Sequence, residues 1–165
     1  MWFAARGIGR IRGTGEVYSC PSRILLLGTG ADEILGGYAR HRTRFSKSGY
    51  PGLITELELE IARIGSRNLG RDDRVISDHG RESRLPFLDE NVVKFVNSLP
   101  IDVKARLDLE RGVGEKLLLR LALCQLGFQN LAFVPKRAIQ FGSRIAKLES
   151  PKERAGDRCD RLSLA

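Results

Sequence analysis

Residues 24–38 read ILLLGTGADEILGGY, an unbroken apolar run that passes into a glycine-rich turn and then into acids. This order constrains the fold more than any other stretch of the chain. Residues 23–27 have the makings of a buried strand, and the glycines that follow punctuate its end. Gly28 and Gly30 permit backbone conformations and close approaches that a side chain would forbid. Asp32 and Glu33 then open a helix, where carboxylates favour the helix dipole and can hold Mg²⁺. A strand that breaks into a turn and a helix is the edge at which α/β proteins place nucleotides and metal-phosphates. The same pattern also suits a plain capped strand-helix connection, so the motif alone does not decide between them.

The rest of the chain supplies context. At 165 residues, 42% hydrophobic and 29% charged, it has the length and composition of one soluble globular domain. No apolar run approaches the ~20 residues that span a bilayer, and the basic start (Arg6, Arg10, Arg12) lacks the apolar core of a secretory signal. Cys20, Cys124 and Cys159 are odd in number and widely spaced, which predicts reduced thiols and a cytoplasmic protein, Cys124 within a helix core. His41 and His79 have no companions at metal-ligand spacing, so no zinc site is expected. The net charge of +8 invites a nucleic-acid reading. Yet the charge is scattered and mixed with acids, without aromatic platforms or a basic stripe, and nucleic acid is not the expected partner. The densest cluster, Arg40, Arg42 and Arg44, reads as the solvated end of a helix.

Along the chain, residues 1–22 are Gly-, Arg- and Ser-rich and are expected to be loop, a truncated piece of the domain. A helix is expected from residue 31 to about 45, then a loop over 46–52 marked by Gly49 and Pro51. Leu53, Leu57, Ile61 and Ile64 recur at helical spacing through residue 69. Residues 72–80 continue as helix or turn, and the Pro86 clause is expected to be extended. Asp89 caps a helix that buries Val92, Val93, Phe95 and Val96 and stops before Pro100. Residues 100–112 read as loop, and 114–126 as an apolar helix ended by Gly127. Residues 135–147 are basic, and the polar tail 149–165 is expected to be disordered. One strand followed by helices amounts to half of a doubly wound domain.

A second charged segment, NLGRDDRVISDHGRESRLPFLD at residues 68–89, joins the first. Together GADEILGGY and DHGRESRLPFLD resemble the synthetase domain of glutamine-dependent asparagine synthetases, which carries GEGADEIFGGY and DR…HGVEARVPFLD. A group of asparagine synthetase domain-containing proteins is more similar still. Its clauses match GADEILGGYARHRTRF, SRNLGRDDRVISDHG, PFLDENVVKFVNSLP and PKRAIQFGSRIAK here. The resemblance runs over residues 23–147, with WFAARG at the start as a further match, and assigns 23–148 to the domain's C-terminal part.

That resemblance implies an α/β fold of the adenine nucleotide α-hydrolase-like (ATP-pyrophosphatase) type, partial and mostly helical in this chain. It implies ATP-dependent activation of aspartate's side-chain carboxylate to a β-aspartyl-adenylate, which glutamine-derived ammonia attacks to give asparagine. ATP and Mg²⁺ are the implied cofactors. Gly28, Gly30, Asp32 and Glu33 match the family loop as nucleotide and pyrophosphate contacts, with Asp32 the Mg²⁺ ligand. Three family charges are replaced. Thr29 stands in place of a glutamate, Asn68 in place of an aspartate and Ala138 in place of a lysine, with Lys136 and Arg137 close by. The family's SGGxDS pyrophosphate loop is not in this sequence, nor is its glutaminase domain. Two readings result: a C-terminal part of an asparagine synthetase-like ligase, inactive alone, or a non-catalytic nucleotide-binding or scaffold protein that keeps the fold. Elsewhere, Glu82 and Arg84 are expected to form an internal ion pair, and Phe87, Leu88 and Phe141 to be core. Lys116 is expected to be a surface residue at a helix start, and Arg71 and Arg74 fit phosphate contacts and a solvated face equally.

Overall fold

In the computed structural model, which describes residues 1–137, the chain opens with a short helix and a hairpin. These are α1 (Trp2–Arg6), β1 (Ile8–Arg10) and β2 (Val17–Ser19), the two strands antiparallel. β3 (Ile24–Leu26) leads into α2 (Ala31–Leu35) and the long α3 (Ala39–Ile64). A π turn, Gly65–Leu69, joins α3 to α4 (Gly70–Ser77). β4 (Glu82–Arg84) follows, then a 3₁₀ turn (Pro86–Leu88), α5 (Glu90–Ser98), α6 (Ile101–Lys104), α7 (Leu117–Gln125) and α8 (Gln129–Ala132). Met1–Phe133 form one unit, and a second begins at Val134.

β3 and β4 run parallel, with Ile24 opposite Glu82, Leu25 opposite Ser83 and Leu26 opposite Arg84. The Leu27 N–H extends the ladder by donating to the Arg84 carbonyl at 2.9 Å. Two parallel strands in register deliver their following loops to the same end. The glycine-rich turn after β3 and the Leu85–Leu88 clause after β4 therefore meet. At the other end, Arg81 donates to the carbonyls of Cys20, at 2.8 Å, and Ser22, tying the hairpin to the strand pair.

Two apolar clusters hold the helices. Ile34, Leu35 and Val96 form one, with Ile61, Phe87, Val92, Val93, Leu118 and Leu119 against it. Burying Ile34 and Leu35 stabilises the anchoring of α2 by about 2 kcal/mol each. Leu53, Leu57, Ala105 and Leu107 form the other, with Phe45, Tyr50 and Ile101 packed on it. Asp89 caps α5 as expected, its carboxylate accepting from the N–H groups of Asn91 (2.9 Å) and Val92 (3.4 Å).

Several expectations change. The start is a helix and hairpin rather than loop, and the described residues hold four strands rather than one. The helix expected over 31–45 is two helices, because Gly36 takes a left-handed backbone (φ 70) and ends α2. The loop expected over 46–52 is helical, reduced to one break in α3 at Gly49 (φ 60, ψ −158). The Pro86 clause coils into a 3₁₀ turn instead of extending, and part of the 100–112 loop is α6. Phe95 lies 59% exposed, since Val96 takes the inward position on α5. Cys124 is half-buried. Ala138, Phe141, Cys159, most of the basic stretch and the tail lie outside the described residues.

Candidate functional site

The site is built where the loops after β3 and β4 touch. Gly30 turns with φ 101, and a Cβ there would come within 2.5 Å of the Leu88 Cγ and Cδ2. Only glycine combines that backbone with that contact. Gly28 is exposed and Thr29 half-buried beside it.

Glu33, on the first turn of α2, is 2% exposed. Its Oε2 accepts the Gly30 N–H at 3.1 Å, a capping interaction that fixes the turn to the helix. Its Oε1 accepts the Tyr38 hydroxyl and the Asn68 side-chain amide, both at 2.5 Å. A buried carboxylate is costly unless such donors surround it. Burial first, and then the hydrogen bond to Glu33, pushes the Tyr38 phenol up, so it stays a neutral donor. The Arg40 guanidinium covers the Tyr38 ring at 4.0 Å. Glu33, expected as a nucleotide contact, is thus placed as the internal brace of its own turn. The Gly-x-x-Glu spacing was the signal in the sequence that could have found this role.

Asn68 gains its meaning here. An aspartate in its place would set a second carboxylate against Glu33, which requires a shared proton or a cation. The amide supplies a donor instead, and the pair stands with a single charge. His41, missed in the sequence, is fully buried on the same side, its Nδ1 accepting the Tyr38 N–H at 3.2 Å. Burial, assisted by the Arg40 charge, lowers its pKa to about 4. It is a neutral structural imidazole at neutral pH.

Asp32 faces the other way. The Lys116 Nζ stands 3.1 Å from its Oδ1, with the two side chains 20% and 19% exposed. A Cβ on Gly37 would lie 1.9 Å from that oxygen, so the carboxylate folds onto a bare Cα. Lys116 reaches it from a left-handed backbone (φ 54), alone among the described non-glycine residues. That conformation costs on the order of 1 kcal/mol. Its N–H donates to the Leu35 carbonyl at 3.0 Å, which binds it to the end of α2. The preceding Glu115 accepts from the Gly112 N–H (2.8 Å) and from Arg42 (3.1 Å). Arg42 also donates to the carbonyls of Leu107 and Leu109, and Arg120 to those of Glu115 and Ala132. Arg42 is therefore a crosslink and not a solvated helix end, and Lys116 is a fixed ion-pair partner rather than a surface residue. Arg40 likewise pairs with Glu60.

Mg²⁺, which the resemblance implies, needs oxygen ligands that are open to it. Among the described residues no three His, Cys, Asp or Glu side chains gather as a metal site. Asp32 meets an ammonium and both Glu33 oxygens are engaged by internal donors, so the donor set present does not fit the ion. Arg71 donates to Asp72 at 2.9 Å, and Glu82 pairs with Arg84 at 3.0 Å on the exposed face of β4. Ala138 lies outside the described residues. No described helix is long and apolar enough to cross a membrane.

Comparison with known proteins agrees with this motif set. The family model for asparagine synthase matches residues 47–165, while the glycine-rich turn is covered by the relatives' alignments. The chain is 59% identical to asparagine synthetase domain-containing protein 1 of Gallus gallus and 58% identical to that of Homo sapiens. Each alignment covers 99% of this chain and 26% of the relative, so the chain spans about a quarter of those proteins' length. A putative asparagine synthetase [glutamine-hydrolyzing] 1 of Methanocaldococcus jannaschii is 43% identical over 82 residues, 50% of this chain. By its motifs and by the match over residues 47–165, the chain belongs to the asparagine synthase family.

Proposed function

We propose that this chain is the nucleotide-facing part of an asparagine synthetase-like ligase and does not itself synthesise asparagine. One observation carries the reading: the glycine-rich turn and the Leu85–Leu88 clause meet at the carboxyl ends of two parallel strands. Ligands of open α/β sheets bind at that end. Gly28 borders open space that would admit a phosphate, Gly30 holds the turn against Leu88, and ATP is the ligand that family membership favours. The adenine nucleotide α-hydrolase-like fold is supported by the parallel pair, whose Ile24 and Leu26 are 46% and 76% exposed. Parallel strands ordinarily have both faces covered, so the pair suits part of a larger α/β layer.

The chemistry of amidation is where the chain departs. Family membership suggests aspartate and glutamine-derived ammonia as the ligase's other substrates. Attack by an amine asks for a carboxylate or other base near the reacting carbonyl. Thr29 offers a hydroxyl, Asn68 an amide, and Glu33 is spent on bracing. A non-catalytic, nucleotide-binding scaffold is the second reading, favoured by the Asn68 contact with Glu33.

The test uses the purified chain with ATP, aspartate, ammonium and Mg²⁺. ATP binding by calorimetry without asparagine or pyrophosphate formation is the expected result. Sustained turnover would overturn the inactive reading, and absent ATP binding would overturn the nucleotide reading.

A further inference from the structure

The turn after β3 carries two adjacent carboxylates, and each is met from within the chain. Glu33 is satisfied by neutral donors from Gly30, Tyr38 and Asn68. Asp32 is met by a cation, the Lys116 ammonium at 3.1 Å. That cation is not a chance surface partner. It is mounted on a left-handed residue, its backbone is bonded to Leu35, and its neighbour Glu115 is buried between Arg42 and Arg120. Nor is the pair left to bulk water, since the Asp32 Oδ1 itself is shut away from solvent. Screening at such a position is weaker than at an open surface.

We propose that Lys116 is the resident cation of this turn, neutralising Asp32 and holding divalent metal off it. A divalent ion at its ordinary ~2.1 Å from Oδ1 would face the ammonium across a short gap, both positively charged. Glu33, its oxygens engaged, offers no second carboxylate to offset that repulsion. Asn68 points the same way: it meets Glu33 as an amide and adds no charge that a metal could share. The turn thus holds its shape without Mg²⁺, with an ammonium permanently in place. This concerns the loop of the proposed function but does not depend on nucleotide binding there.

The experiment contains no nucleotide, so its failure would leave the nucleotide reading standing. Mn²⁺ binding is followed by electron paramagnetic resonance for the full chain and three variants. Lys116→Gly removes the ammonium while easing the left-handed backbone, so folding is protected. Lys116→Arg keeps the charge, and Lys116→Gly with Asp32→Asn removes both partners. The unaltered chain and Lys116→Arg are expected to bind Mn²⁺ no better than about 1 mM. Lys116→Gly gains a site about tenfold tighter or better, and Asp32→Asn abolishes the gain. Tight Mn²⁺ binding by the unaltered chain that the double variant removes would overturn the proposal. So would a folded Lys116→Gly variant that gains no site.

Discussion

The turn after β3 and the strand pair that carries it are neighbours in sequence and opposites in completeness. In the turn, a carboxylate only 2% exposed is matched by three donors, and its neighbour by a fixed ammonium. In the pair, Leu26 is 76% exposed. Hydrogen bonding can close over a few residues and one helix face. A parallel sheet closes only when further layers cover it. The difference explains how the turn can keep its shape when the sheet behind it is two strands wide among the described residues.

Four measurements would break or sharpen that contrast. The largest effect is expected from Glu33→Ala, which strands one buried and two half-buried donors and lowers the unfolding free energy by about 4 kcal/mol. A loss below about 1 kcal/mol in urea titrations would mean that the turn does not depend on its brace. Next is acid. His41 is buried neutral, with its pKa lowered to about 4, and Arg40, Glu60 and Asp32 also act on it. The unfolded chain takes up this proton near pH 6.5 and the folded chain only near 4, so stability falls as pH drops through that window. The loss is about 3 kcal/mol, and His41→Gln should flatten that part of the pH profile.

Gly30→Ala ranks third, at about 2 kcal/mol, because the new methyl meets Leu88 from a backbone that disfavours it. Thermal melting of the variant reads this directly. Smallest is Leu26→Thr, expected within about 0.5 kcal/mol of the unaltered chain in urea titrations, as befits an exposed position. A large loss there would show that the strand face is covered after all, and the contrast with the turn would collapse.

How much of this the sequence disclosed follows from range. β3, the turn, the family and the Asp89 cap were legible because each lies within a few consecutive residues. The break of α2 at Gly36 was hidden, since GGY reads as helix or turn equally well. Lys116 was illegible because its role depends on a left-handed backbone and on a partner distant in sequence, Asp32. Arg42 looked like part of a charged run until its carbonyl partners at Leu107 and Leu109 came within reach. Glu33 was seen as a motif residue but not as a brace. Which way an acid faces on a first turn is set by Tyr38 and Asn68, not by its own identity.

The π turn at Gly65–Leu69 carries a consequence of another kind. The Gly70 N–H donates to the carbonyl of Gly65, five residues back instead of four. One residue turns a helix by about 100°. The partner of Glu33 is thus selected by a count: a single surplus residue dials Asn68 into place. Deleting one residue of the turn would leave Glu33, Tyr38 and Asn68 all present, yet point the amide elsewhere. At this position chain length is inherited information as surely as side-chain identity is.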